Sequence, residues 1–220
     1  MTGTQAMFDK YLEARTKGAH LQPMPGSALP LKGVDAVVVS AAGQVLTKAL
    51  PGAGAPTPSC RAEALAASEK TENPRSTGIR LEYGAFRFLD LGDLSGAPLA
   101  ALVCPANLIG NADVYLVAHH GGADAADPAL FAAVQPRVAV FNNGPTKGAQ
   151  KETLATVAAI PAIDGWQLHR SSNEDAVNVP DARIVNLDDT SHAWLKLVAR
   201  RDGSFDVTNG RTGDAKAYRR

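Results

Sequence analysis

Two short segments carry the residues best suited to chemistry. In Leu89-Asp90-Leu91-Gly92-Asp93-Leu94 an apolar run ends in Gly-Asp, and in Tyr115-Leu116-Val117-Ala118-His119-His120-Gly121-Gly122 a second apolar run ends in His-His-Gly-Gly. Imidazole nitrogens and carboxylate oxygens are good donors to zinc and related divalent ions. A carboxylate can also bridge two metals, and a bridged pair lowers the pKa of a shared water and holds it for attack. Both segments place these donors at the end of an apolar strand, where rigid scaffold meets solvent. Gly92 and Gly121 let the backbone bend sharply there. Taken singly, each has an ordinary reading. A Gly-Asp after a strand is a turn or a helix cap, and adjacent histidines are a core residue beside an exposed one. In this order, each closing an apolar strand, they read as a metal site. His20, His169 and His192 have no comparable surroundings.

The flanking pattern supplies the elements that position these groups. Thr77 to Tyr83 alternates, Gly84 makes a tight turn, and Phe86 to Leu91 returns, which predicts a β-hairpin leading to Asp93. Ala112 to Ala118 reads as a strand leading to the histidines. Asp127 and Pro128 open a short helix to Val134 as N-cap and first helical residue. Val138 to Phe141 is a strand closed by Asn142-Asn143-Gly144, Lys151 to Ile160 a helix, and Gln167 to His169 a short strand. Upstream, Thr4 to Lys17 reads as an amphipathic helix with Met7, Phe8, Tyr11 and Leu12 on one face. Val34 to Ser40 is a strand that pairs with Gln44 to Thr47 across Ala42-Gly43. Residues 50–72, opened by Pro51, Gly52, Gly54, Pro56 and Pro58, read as a flexible surface insertion with one helical turn near Arg61 to Ala67. At the C-terminal end, Ala193 to Ala199 and Ser204 to Thr208 form a hairpin around Asp202-Gly203, a type I′ turn signal. Strands alternating with helices make the chain α/β, with a mixed β-sheet, flanking helices and a C-terminal hairpin, in a single domain over residues 1–220.

Composition narrows the function classes. Lys+Arg and Asp+Glu both number 22, so there is no electrostatic case for nucleic acid or an anionic membrane as partner. The only candidate basic patch, ending in Arg219 and Arg220, reads as a solvated tail. No apolar run has the length of a membrane span, and the N-terminus has no apolar h-region. The chain as written therefore reads as cytoplasmic, with a secreted or periplasmic parent left open. The two cysteines, Cys60 and Cys104, lack the Cys-x-x-Cys spacing of a thiolate zinc site, and whether they bond to each other stays open.

The stretch Asn73-Pro74-Arg75-Ser76-Thr77 with its hairpin, then Leu91-Gly92-Asp93, then Asp113-Val114-Tyr115-Leu116-Val117-Ala118-His119-His120-Gly121, resembles the second half of metallo-β-lactamase-fold hydrolases. It is most similar to the hydrolase domain of competence proteins of the ComEC type. Gln135-Pro136-Arg137-Val138-Ala139-Val140 fits the same pattern, and the resemblance spans about residues 25–170. It implies one half of an αββα sandwich. It makes Asp93 a metal-bridging carboxylate and His120 the late histidine ligand, with His119 a supporting or alternative ligand. Asn143 and Lys147, in the loop after the next strand, would face the substrate, although Asn142-Asn143-Gly144 also reads as a plain turn. The complete fold would hold zinc or manganese in a two-metal centre and hydrolyse a small ester, amide or phosphodiester. The family's His-x-His-x-Asp-His motif is absent here, and only His20 precedes Asp93. A catalytic zinc ion normally takes three protein ligands and a water. The chain is thus expected to be inactive alone, as a fragment or degenerate module. The other expectation is a complementing half that docks to a partner carrying the remaining ligands, or to a second copy.

Overall fold

The computed structural model describes residues 4–66 and 70–219. Its centre is an eight-stranded mixed sheet. The strands are β1 (Asp35–Ala41), β2 (Gln44–Val45), β3 (Gly78–Tyr83), β4 (Phe86–Asp90), β5 (Val114–Leu116), β6 (Val138–Phe141), β7 (Asp164–His169) and β8 (Ile184–Asn186), in the order β2-β1-β3-β4-β5-β6-β7-β8. The β1–β2, β1–β3 and β3–β4 pairs are antiparallel, and β4 through β8 run parallel. The β3–β4 hairpin forms as its sequence predicts, with Tyr83 opposite Phe86 and Gly84 at φ +61°. Its turn packs so tightly that a Cβ on Gly84 would fall 2.3 Å from the Arg201 carbonyl oxygen.

One face of this sheet carries the helices α3 (Gly96–Ala101), α4 (Pro128–Val134) and α5 (Lys151–Ala158), which supply Leu99, Leu130, Phe131, Val134, Leu154 and Val157 to the larger core. The predicted cap on α4 is present: Asp127 Oδ1 accepts from the Ala129 N–H at 2.9 Å. The other face is partly covered by a smaller antiparallel sheet of β9 (Leu195–Ala199), β10 (Phe205–Asn209) and β11 (Ala215–Tyr218), in the order β11-β10-β9. Phe205 packs edge-on to Phe86 at 5.5 Å and stacks on Tyr218 at 4.7 Å, and the Trp166 indole donates to the Tyr218 hydroxyl at 3.0 Å. Burial on both faces explains why β6 is apolar throughout, without the alternation of a half-exposed strand.

Four features differ from the sequence expectation. The C-terminal hairpin gains a third strand, β11. Its turn is not type I′: Arg200 N donates to Ser204 O and Gly203 N to Arg200 O, leaving a three-residue loop with Gly203 left-handed at φ +85°. The N-terminal helix, α1 (Thr4–Arg15), forms, but its apolar stripe stays exposed, with Met7 at 72% and Phe8 at 52%. The segment expected to be a flexible insertion is anchored in its first half. Leu50 N donates to Leu108 O, Gly54 N to Asn107 O and Thr57 N to Pro105 O, and Cys60 is disulfide-bonded to Cys104. The helical turn expected there is α2 (Ala62–Ala66). Residues 67–69, including Ala67, and Arg220 of the basic tail lie outside the described residues. Among the described residues no helix is long and apolar enough to cross a membrane.

Candidate functional site

Because β4, β5 and β6 are parallel, their C-terminal ends open on one edge of the sheet, and three loops converge there. The loop after β4 turns at Gly92 (φ +57°), whose N–H donates to Asp90 Oδ1 at 2.9 Å. Leu91 and Leu94, both fully buried, clamp the turn so that Asp93 faces the cleft. The loop after β5 is tied to it directly, since the His119 N–H donates to the Gly92 carbonyl at 2.9 Å.

The histidine loop takes an unusual path. His119 (φ 49°, ψ 40°) and His120 (φ 57°, ψ 13°) are both left-handed, and Gly121 follows at φ +82°. A non-glycine residue held in this region costs on the order of 1–3 kcal/mol, so surrounding contacts must impose it. They do: the carbonyls of His120 and Gly121 accept from Ala149 N and Gln150 N, each at 2.9 Å. Gly148 lies so close that a Cβ there would be 2.2 Å from the His120 carbonyl oxygen. Beneath the loop, the Tyr115 hydroxyl accepts from Ala118 N at 3.0 Å. Burial pushes this phenol far above its ordinary range, so it remains a neutral brace.

This path brings two of the expected ligands together. His120 Nδ1 lies 2.7 Å from the Asn142 carbonyl oxygen, which assigns the proton to Nδ1 and leaves the Nε2 lone pair facing outward. Nε2 is 3.3 Å from Asp93 Oδ1. Two lone pairs at that distance attract only if a proton or a metal cation lies between them. Donors about 2.0 Å from a tetrahedral zinc ion are themselves about 3.3 Å apart, so the pair fits two vertices of such a site. It does not fit a whole one: among the described residues no group of three or more His, Cys, Asp and Glu is placed to hold a metal ion.

His119 has a different setting. Its Nδ1 lies 2.9 Å from Asp124 Oδ2, its Nε2 lies 3.2 Å from Asn73 Nδ2, and its ring centre is 6.4 Å from that of His120. Asp124 therefore fixes its tautomer, and both ring nitrogens are engaged, by Asp124 and by Asn73. Lys147 is exposed and lines a cavity of about 500 Å³ together with His119, Asp124 and Thr146. Asn143 turns inward instead of facing a substrate. It is 2% exposed, and its amide donates to the carbonyls of His169 (2.8 Å) and Gly144 (2.9 Å), joining β6 to β7.

Sequence reasoning did not single out Asn142, Asp124 or Asp90. Asn142 acts through its carbonyl, which no side-chain pattern reveals. Asp124, five residues after His119, was detectable as a carboxylate within reach of an imidazole. Asp90 lines a cavity of about 180 Å³ with Asp93 and His120. Next to it is an apolar cleft of about 460 Å³ between the two sheets, and Leu116 and Asn142 line both spaces. The chain matches no protein-family model and no curated protein.

Proposed function

We propose that this chain carries the carboxylate–imidazole half of a metal-dependent hydrolase site of the metallo-β-lactamase type, and that it is not an efficient catalyst alone. One observation carries the reading: His120, held at Nδ1 by a backbone carbonyl, aims Nε2 at Asp93 from 3.3 Å. That is how a metal-ligating imidazole is oriented, and a sheet flanked by helices on one face suits half of an αββα sandwich. Asp93 and His120 would contribute to binding zinc or manganese, which on a complete donor set supplies an activated water for ester, amide or phosphodiester hydrolysis. His119 supports the histidine loop through Asp124, and Lys147 offers a positive charge to an anionic substrate group. The disulfide favours an oxidising compartment over the cytoplasm, and hence a secreted or periplasmic setting.

Calorimetric titration with zinc and manganese tests the site. Weak binding is expected in the unmodified chain, with a further loss of about tenfold or more in Asp93→Ala and in His120→Ala. Affinity unchanged in both variants would remove the site assignment. Turnover of phosphodiester, lactone or β-lactam substrates that vanished in Asp93→Ala would show that this chain supplies the missing ligands itself. A second reading, complementation by a partner, is favoured by the apolar cleft that opens beside the two ligands.

A further inference from the structure

The smaller sheet ends at β9, which pairs only with β10 among the described residues. In an antiparallel ladder the peptide groups of alternate residues point to opposite edges. Gly210 N donates to Trp194 O and Arg200 N to Ser204 O, which turns the even-numbered residues of this segment toward β10. The N–H and C=O groups of Leu195, Leu197 and Ala199 therefore point to the free edge. Their side chains face the main sheet and are partly buried against it.

Beyond that edge is the apolar cleft. Its floor is Phe88, Leu116, Val140 and Leu168, and Trp194, Leu195 and Leu197 form its wall. The floor continues the interface that already buries Val114, Val138 and Trp166 beneath the smaller sheet. The cleft leads to the cavity holding Asp90, Asp93 and His120, and no lysine or arginine is among the described residues lining either space. An occupant must therefore meet three conditions. It needs peptide groups to pair with β9, because covering unpaired N–H and C=O groups without partners is costly. It needs apolar side chains at every second position to meet the floor. Its end must bring cationic or metal-donor groups to two carboxylates and one imidazole.

We propose that β9 accepts an extended strand of a second polypeptide, which continues the smaller sheet and delivers further metal donors to Asp93 and His120. The donor part rests on the half-site reading above. The strand part rests on the free edge and the cleft alone. Addition at a sheet edge gives affinity through main-chain bonds and specificity through alternate side chains.

The test uses the 15N-labelled chain and a synthetic peptide of alternating valine and threonine ending in Gly-His-Gly-His. A second peptide has the same sequence with N-methylated amides, and a third ends in glycines. The first and third should slow exchange at the Leu195, Leu197 and Ala199 amides about tenfold or more, and the N-methylated peptide should not. Ala193 also lines the cleft, and Ala193→Arg should weaken peptide binding about tenfold, read from tryptophan emission. Zinc should tighten only the histidine-ended peptide. No amide protection at millimolar peptide, or equal binding of the N-methylated peptide, overturns strand addition. The second outcome would make the cleft a site for apolar small molecules. Strand protection without any zinc effect refutes the half-site reading and leaves strand addition standing.

Discussion

Replacing Cys60 and Cys104 together with alanine tests how the segment after residue 50 is held. The bond joins residues 44 apart in sequence. Opening a loop of that length restores chain entropy to the unfolded state, worth about 4 kcal/mol at room temperature. The native contacts do not all depend on the bond, since residues 50–57 stay hydrogen-bonded to 105–108. The expected net loss is therefore about 2–4 kcal/mol. With a urea dependence of about 2 kcal/mol per molar, the midpoint should fall by about 1–2 M. Alanine is preferred to serine because Cys104 is 5% exposed, and a buried hydroxyl would add its own penalty. Circular dichroism in urea gives the midpoint. Hydrogen exchange should quicken first at Thr57 to Ala66 while β4 to β7 keep their protection. A midpoint equal to that of the unmodified chain would refute the reasoning, and so would exchange that quickened uniformly.

Two further outcomes follow from local geometry. Gly148→Ala puts a Cβ against the His120 carbonyl at φ +71°, and should cost about 1–3 kcal/mol in thermal or chemical unfolding while weakening zinc binding. Asp164 accepts from Tyr218 (2.8 Å) and Lys216 (2.5 Å) and pairs with Arg183 (2.6 Å); burial alone would raise its carboxyl pKa, but these hydrogen bonds and charges outweigh burial and lower it. A lowered folded value stabilises the protein above the unfolded carboxylate pKa, about 3.9, and that stability is lost as pH falls through the folded value. Asp164→Asn should thus cost about 1–2 kcal/mol at neutral pH, a range that allows for solvent screening. Its deficit should shrink on acidification, and a deficit independent of pH would contradict the assignment.

The meeting of Asp93 and His120 was legible because each ends an apolar strand, and the parallel pairing of β4 and β5 then brings the two side chains together. The hairpin at Gly84 and the capped helix at Asp127 were equally plain, being set by local turn and cap chemistry. What was not legible depends on distant chain. Asn143 looks polar and loop-borne, yet it is drawn inward because the His169 backbone offers it partners. The Pro/Gly-rich stretch after residue 50 has few apolar anchors of its own, and its order comes from backbone bonds to 105–108 and from the disulfide. β11 (Ala-Lys-Ala-Tyr) has three exposed residues of four and forms because β10 offers an edge and Tyr218 finds Trp166. The left-handed turn at His119 and His120 has no local signal, because contacts from 148–150 impose it.

The strand order of the large sheet bears on how the chain assembles. From β1 onward every strand joins an open edge left by those before it, and none has to insert between two strands already in place. A sheet of this kind can grow in the direction of synthesis as the chain leaves the ribosome, each helix covering its strand before the next arrives. The strands that follow, β9 to β11, add nothing to that sheet and close over its second face. Until they arrive, Phe86, Val114, Val138 and Trp166 stand open to solvent. The nascent chain is therefore most prone to aggregation after β8 has joined and before β9 to β11 arrive, when the eight-stranded sheet is formed and still uncovered.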